Sequence, residues 1–196
     1  MDGLKMNVSM FLQRARTGLL CGVVGAVMSA CAPLAAQTGA PACSAPEYRQ
    51  FDFWVGDWDA FDVGDPTTST AHIRVDRILD GCVLKETYEG TNGALGQSFT
   101  IYDKSRGVWH QTWVTNRGRL LTIEGKMESG AIVLNGSDRT PDGKPRLIRG
   151  TWKPEGGNVR ETAIMSIDNG VTWAPWFDLI FRQRASDTQP HPKPKP

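Results

Sequence analysis

The sequence is poor in the residues and motifs that mark a well-defined chemistry. It has three histidines and four cysteines in 196 residues. It contains no H-E-x-x-H or C-x-x-C pattern and no close cluster of His, Asp and Glu, which argues against a zinc site. A P-loop, a dinucleotide-binding fingerprint and a G-x-S-x-G elbow are also missing. We therefore expect no metal and no cofactor, and no catalytic residue can be assigned from a motif.

Long hydrophobic runs are missing except at residues 19–30, an apolar stretch rich in Gly and Ala. About a dozen residues are too few for a membrane-spanning helix, which needs roughly 20. Lys5, Arg14 and Arg16 precede the stretch and small residues follow it, an order typical of a secretory signal peptide. We predict a signal peptide over residues 1–36, no membrane span, and a periplasmic or secreted protein.

Two details of this segment stay open. The tetrapeptide M-S-A-C that ends at Cys31 resembles the lipobox of bacterial lipoproteins. Lipidation of Cys31 is therefore the alternative to plain cleavage after Ala36. The basic region is also long for a signal peptide, so Met6 and Met10 are alternatives to Met1 as the start.

Cysteine usage agrees with export. Removal of residues 1–36 leaves an even pair, Cys43 and Cys82. In an oxidising compartment such a pair usually forms a disulfide. Closing a loop of about 40 residues would stabilise the fold by roughly 3–4 kcal/mol in the chain-entropy model. Two unpaired buried thiols are the alternative.

Neither acidic nor basic side chains are in clear excess in this sequence. The formal net charge of the whole chain is +1. Without residues 1–36 there remain 19 basic and 20 acidic side chains, a net charge of −1. No basic field is left to attract nucleic acid or anionic lipid, so we expect neither as a partner.

The part of the chain that is rich in structural signals is residues 51–184, where short apolar–polar stretches alternate with turn formers and no helix of three turns is indicated. Ten regularly spaced stretches are typical of a barrel or a sandwich. Connections this short join antiparallel neighbours, and closure removes exposed edges, so we predict an all-β, up-and-down antiparallel barrel. The candidate strands are 58–63, 71–78, 83–89, 97–103, 108–115, 119–127, 131–137, 146–153, 158–166 and 172–182.

The segments flanking these strands are interpreted separately. Residues 51–57, F-D-F-W-V-G-D, do not alternate like a strand and predict a short helical turn that closes one barrel end with aromatic side chains. Residues 37–50 form an N-terminal extension. Residues 185–196 are polar and rich in proline and lysine, so we expect a disordered tail.

Six strings of the sequence are distinctive. They are FDFWVGDW at 51–58, DGC at 80–82, YDKSRGVWHQTW at 102–113, RGTW at 149–152, VRET at 159–162 and SIDNGVTW at 166–173. These strings resemble a family of exported bacterial proteins whose domain opens with FDFWVGDW. The resemblance covers almost the whole predicted mature domain and implies a calycin-like barrel, similar to nitrobindins and distantly to lipocalins. It implies a cavity for a small apolar ligand but no reaction, because fold membership does not establish function.

A candidate ligand-binding wall lies in the stretch 108–115. Strand alternation puts Trp109, Gln111 and Trp113 on one face and His110 on the other. Two tryptophans that flank an amide suit the wall of a cavity, because they combine apolar area with one polar group that orients a ligand. A packed core with a hydrogen-bonded amide is the alternative.

A buried carboxyl is a second candidate. Leu84, Glu86 and Tyr88 share a face of their stretch, so Glu86 lies inside if Leu84 does. Burial would then raise the pKa of Glu86 unless Arg149 or Arg160 pairs with it. A Glu–Arg pair inside a barrel is a functional-site candidate. A register that puts Glu86 in water is the alternative.

Three hypotheses on function follow. The first is an extracytoplasmic binder of a small apolar or amphipathic molecule, with Trp109, Gln111, Trp113, Glu86 and Arg149 at its site. The second is an enzyme with Glu86 or His110 as general base. The third is a packed structural or interaction module. An outward His110 counts against a nitrobindin-like haem pocket.

One further motif is interpreted as structural. Ser166, Asp168, Gly170, Thr172 and Trp173 fit the S-x-D-x-G-x-T-W pattern called the Asp-box. Its aspartate accepts backbone N–H bonds in a tight turn, and its glycine supplies a positive φ. We expect the tryptophan to pack beneath the hairpin. Sialidases carry the box once per propeller blade, but a single copy gives no propeller, so glycosidase chemistry does not follow.

Overall fold

Ten antiparallel β-strands close into a barrel in the computed structural model, which describes residues 41–184. Each strand pairs with the next in sequence, and β10 returns to pair with β1, with Ala60 opposite Phe181. The predicted up-and-down topology is confirmed. The strands are β1 (Gly56–Asp62), β2 (Asp65–Ile78), β3 (Val83–Gly90), β4 (Leu95–Asp103), β5 (Val108–Thr115), β6 (Leu120–Glu128), β7 (Ala131–Arg139), β8 (Pro145–Glu155), β9 (Asn158–Ser166) and β10 (Ala174–Gln183).

Strand alternation sorts the side chains between the barrel interior and its outer surface. In β5, Trp109 and Gln111 are buried, whereas Val114 on the other face is exposed. In β3, Leu84 and Glu86 are buried on the inner face. The predicted grouping of residues on both strands is therefore correct, and Glu86 lies inside the barrel rather than in water.

One end of the barrel is filled by an aromatic plug. Its centre is Phe51, which stacks on Trp54 at 5.2 Å between ring centroids and meets Trp109 edge-on at 5.6 Å. Trp54 belongs to the 3₁₀ turn Asp52–Trp54, so the predicted helical turn is confirmed. The members of the plug are Phe51, Trp54, Trp58, Trp109, Trp152 and Phe181.

Two indole hydrogen bonds join the plug to the segment that precedes β1. Trp58 Nε1 donates to the carbonyl oxygen of Trp54 at 3.1 Å. Trp109 Nε1 donates to Gln50 Oε1 at 3.2 Å. Because these donors are satisfied, the large rings are buried without the cost of unpaired N–H groups at those positions.

The predicted disulfide is present beside the plug. Cys43 and Cys82 are bonded with their Cα atoms 5.1 Å apart, which joins the segment before the barrel to the β2–β3 corner. Arg49 strengthens the same junction, donating to the carbonyl oxygens of Cys43 and Gly81 at 2.9 and 2.8 Å.

Several predicted features lie outside the described residues. They are the signal peptide at 1–36 with its alternative lipidation at Cys31, and the tail at 185–196. Within residues 41–184, no helix is long and apolar enough to cross a membrane.

Candidate functional site

A cavity of about 410 Å³ occupies the barrel between the aromatic plug and the end at which β10 begins. Its volume falls within the range of small-molecule sites, roughly 300–1,000 Å³. Most of its wall is aromatic or aliphatic. Typical members are Trp54, Trp113, Leu121, Ile123, Ile148 and Trp152.

Inward-facing glycines make room for the tryptophan rings of the cavity wall. The ring of Trp113 lies over Gly96, where a Cβ atom would overlap it, and the ring of Trp152 lies over Gly150. Gly150 is paired with Ala163 on β9, and both residues line the cavity. Glycine inside a strand often marks such a close approach.

A chain of polar side chains crosses the apolar wall. Gln111 Nε2 donates to Thr100 Oγ1 at 3.1 Å and to Ser98 Oγ at 3.4 Å. Ser98 Oγ donates in turn to Glu86 Oε2 at 2.8 Å. These residues face one another across β3, β4 and β5, because Glu86 pairs with Ser98 and Thr100 with Gln111 in the strand registers. The predicted buried amide is therefore satisfied by protein groups.

A second carboxyl, Glu161 on β9, lines the same cavity. It alternates with buried Val159 and Ala163, so its inward face follows from the same pattern that places Glu86. Glu161 is not among the residues predicted from the sequence, although this alternation is the signal that identifies it. Glu161 stands opposite Trp152 in the β8–β9 register.

The environment of the two carboxyls favours their protonated forms. Burial raises the pKa of Glu86 to about 7, against the hydrogen bond from Ser98, which lowers it. Burial also raises the pKa of Glu161 well above its ordinary value, and the charge of Glu86 adds to the rise. The Trp152 indole N–H has the opposite effect and lowers the pKa of Glu161. Glu86 is thus poised to gain or lose a proton near neutral pH, and Glu161 in the same apolar cavity is held toward its protonated form.

Comparison with protein-family models and with curated proteins finds no match for this chain. The ten-stranded closed barrel is consistent with a calycin-like fold. The particular family and its opening motif remain predictions.

The rim of the cavity is built around Trp176. The guanidinium groups of Arg119 and Arg146 lie 4.9 and 4.5 Å from its ring centroid. Asp138 accepts hydrogen bonds from both arginines, at 2.5 Å from Arg119 Nη2 and 2.7 Å from Arg146 Nη2. Burial alone would raise the pKa of Asp138, but these hydrogen bonds outweigh it and lower that pKa. Asp138 therefore pairs with both arginines, and the rim keeps one excess positive charge.

Two of the predicted site residues lie away from the cavity. Trp109 belongs to the plug. Arg149 is on the outer surface, where Nε donates to Asn135 Oδ1 at 2.9 Å. The expected Glu–Arg pair does not form, because Arg149 faces outward and Arg160 pairs with Asp178 at 2.6 Å. Gln111, Trp113 and Glu86 do line the cavity.

His110 faces outward, as its alternation with the tryptophans predicts. Its Nδ1 lies 2.6 Å from Glu124 Oε1, and its Nε2 lies 2.9 Å from Thr112 Oγ1. Hydrogen bonds from Arg106 and His110 lower the pKa of Glu124 to about 2. No histidine of residues 41–184 lines the cavity.

The Asp-box forms the β9–β10 turn at the rim end of the barrel. Asp168 accepts from the backbone N–H of Thr172 at 2.9 Å and from its hydroxyl at 2.6 Å. Gly170 has φ of +88°, the left-handed conformation that the motif requires. Trp173 differs from the expectation, since it is partly exposed and carries the Arg149 guanidinium on its ring instead of packing beneath the hairpin.

Proposed function

We propose that the protein binds a small, mostly apolar molecule in the barrel cavity. The observation that carries the proposal is the cavity itself, about 410 Å³ with a predominantly aromatic and aliphatic wall. Protein interiors are normally filled to the density of organic crystals, so an unfilled volume of this size is unusual in a purely structural barrel. A few polar groups, such as Gln111 and Glu86, supply the orientation that such a site needs.

We place this binding outside the cytoplasm. The disulfide between Cys43 and Cys82 supports an oxidising compartment, since such bonds are rare where thiols are kept reduced. The proposed route is export through the N-terminal signal, either with cleavage after Ala36 or with lipid attachment at Cys31.

A neutral naphthalene compound tests the binding proposal. We expect 1-naphthalenemethanol to bind the protein with one-site saturation at micromolar concentration, measured by calorimetry. Trp113→Ala removes a ring from the wall and is expected to weaken binding about tenfold or more. Thr112→Ala, the neighbouring position on the outer face, serves as the matched control and should bind as the wild type does. Absence of saturable binding across a panel of apolar compounds would contradict the proposal.

An enzyme acting on the same ligand is the second candidate. The observation that favours it is Glu86, which lines the cavity, because a carboxyl whose pKa is raised to about 7 is suited to proton transfer near neutral pH. Glu86 is then the general base, since His110 lies on the outer surface. Native mass spectrometry would identify a co-purified ligand. Turnover of that ligand by wild type but not by Glu86→Gln would establish catalysis.

A further inference from the structure

Neither of the two cavity carboxyls is paired with a cation. Within residues 41–184, the ion pairs of the Lys, Arg and His side chains include neither Glu86 nor Glu161. The arginine of the cavity wall, Arg119, forms its ion pair with Asp138 at the rim. Buried carboxylates are normally paired, so the cavity has acceptor groups for a positive charge that the protein does not supply.

The neighbouring donors are nevertheless arranged for the ionised carboxyl. Because Ser98 accepts a hydrogen bond from Gln111, its own O–H is directed at Glu86. The indole N–H of Trp152 is buried and makes no hydrogen bond of ordinary geometry, and Trp152 is the direct cross-strand neighbour of Glu161, whose pKa it lowers. A closer contact with an ionised Glu161 would satisfy this buried donor.

The aromatic wall adds a third property that suits a cation. Trp54, Trp113, Trp152 and Tyr88 all line the cavity, and Tyr88 meets Trp113 edge-on at 5.7 Å. Ring faces attract ammonium groups, and the attraction is stronger where water is excluded. Rings and carboxylates in one cavity form the kind of site that takes an organic cation.

We infer that the ligand of this cavity is a small apolar molecule bearing a protonated amine, with the ammonium group held between Glu86 and Glu161 and the apolar part against the tryptophans. This inference rests on the proposed function and narrows it to one chemical class. An anionic amphiphile is less suited to the interior of the cavity, because its charge would meet two carboxyls there, whereas the excess positive charge of Arg119 and Arg146 over Asp138 lies at the rim.

A matched set of naphthalene compounds tests the inference. The set is 1-naphthylmethylamine, which is protonated at pH 7, the neutral 1-naphthalenemethanol and the anionic 1-naphthoate. We expect the wild type to bind the amine at least about tenfold more tightly than the alcohol, as a charge-assisted hydrogen bond allows. Naphthoate is expected to bind more weakly than both.

Carboxyl variants show where the preference arises. In Glu161→Gln and Glu86→Gln the advantage of the amine over the alcohol should shrink about tenfold, while binding of the alcohol stays within about twofold of wild type. Glu128→Gln removes an exposed carboxylate from the end of β6 and should leave the preference intact.

Equal binding of amine and alcohol by wild type would overturn the inference while leaving the apolar site in place. A preference for naphthoate would overturn it too, in favour of Arg119. Failure of all three compounds to bind would overturn the proposed function itself.

Proton release provides a measurement on the unaltered protein. The titratable and charged groups that line the cavity are Glu86, Glu161, Tyr88 and Arg119, and Arg117 acts on Tyr88 from the β5–β6 turn. Because an ammonium group stabilises the ionised carboxyls, binding of the amine at pH 7 should release protons, and its affinity should rise from pH 5 to 8. Calorimetry in two buffers of different ionisation enthalpy measures that release. Release by the amine but not by the alcohol is expected, and no release by the amine would contradict the inference.

Discussion

At the scale of single residues, Glu86 shows how the barrel changes the chemistry of an ordinary side chain. Alternation with Leu84 puts its carboxyl inside, where it is 7% exposed. Its nearest polar neighbour is the Ser98 hydroxyl at 2.8 Å, a neutral group. Burial therefore outweighs the hydrogen bond, and the pKa of Glu86 rises to about 7.

This rise predicts a loss of stability with increasing pH. In the unfolded chain Glu86 loses its proton near its ordinary pKa of 4.5, whereas in the folded protein it keeps the proton up to about pH 7. The folded state thus binds more protons between these values, and the free energy of unfolding falls as pH rises through that window. The contribution of Glu86 is on the order of 3 kcal/mol. Glu161 acts in the same direction.

Urea denaturation at pH 5, 6, 7 and 8 measures this effect. We expect the decline in the free energy of unfolding to be smaller in Glu86→Gln than in wild type, with Glu128→Gln as a surface control that follows the wild type. Groups with a lowered pKa, such as Asp168 at about 2, stay ionised throughout this range. Parallel curves for Glu86→Gln and wild type would show that Glu86 is not protonated in the folded protein.

At the scale of elements, the short turn before β1 closes one end of the barrel with aromatic side chains, which an extended strand could not do. The 3₁₀ turn Asp52–Trp54 crosses one barrel end and brings Phe51 and Trp54 into the interior. Phe51 is fully buried among rings of Trp54, Trp109 and Trp152. Because the plug fills that end, the remaining volume is confined to the half of the barrel that holds the carboxyls.

Truncation of a plug side chain should therefore destabilise the folded protein. Phe51→Ala is expected to lower the free energy of unfolding by about 3–5 kcal/mol, since the ring is lost and a void remains. Phe99→Ala, on the outer face of β4 with 46% of the residue exposed, should cost below about 1 kcal/mol. Equilibrium urea denaturation of the two variants provides the comparison. Similar losses at both positions would show that Phe51 is not part of a packed end.

At the scale of the whole molecule, each strand pairs with the next one in sequence, and the barrel closes only where β1 pairs with β10. That pairing joins residues more than a hundred positions apart, such as Trp58 and Gln183. The disulfide adds a second long-range link, across a separation of 39 residues, between the plug segment and the β2–β3 corner. Both links hold the plug in place beneath the cavity.

Loss of the covalent link should weaken the protein as a whole. Cys82→Ser is expected to lower the free energy of unfolding by roughly 2–5 kcal/mol, as for disulfides in small secreted domains. Reduction of the wild type should produce a similar loss, which separates the missing bond from the substituted side chain. Non-reducing peptide mapping should recover Cys43 and Cys82 in one linked pair, and their recovery as separate free thiols would refute the bond.

Local pattern was enough to predict the strands and their inner faces. Residues two apart share a face of a strand, so buried Trp109 implied an inward Gln111, and Leu84 implied an inward Glu86. Turn formers marked the strand ends to within two residues, except that β2 begins at Asp65 rather than at residue 71. Asp65 and Pro66, although residue types typical of turns, belong to β2.

Tertiary structure alone decided which side chains contact one another across the barrel. Strand alternation does not specify how far along the barrel axis a side chain lies. In the structure Trp109 lies in the plug and Trp113 in the cavity, although they share a face of β5. Barrel closure brought Glu161 into the same cavity as Glu86, some 75 residues away in sequence. The partners of the arginines were equally non-local, with Arg149 stacked on Trp173 and Arg160 paired with Asp178. A strand's sequence sets which way each side chain points, whereas its neighbours and its tilt in a closed barrel set what that side chain touches.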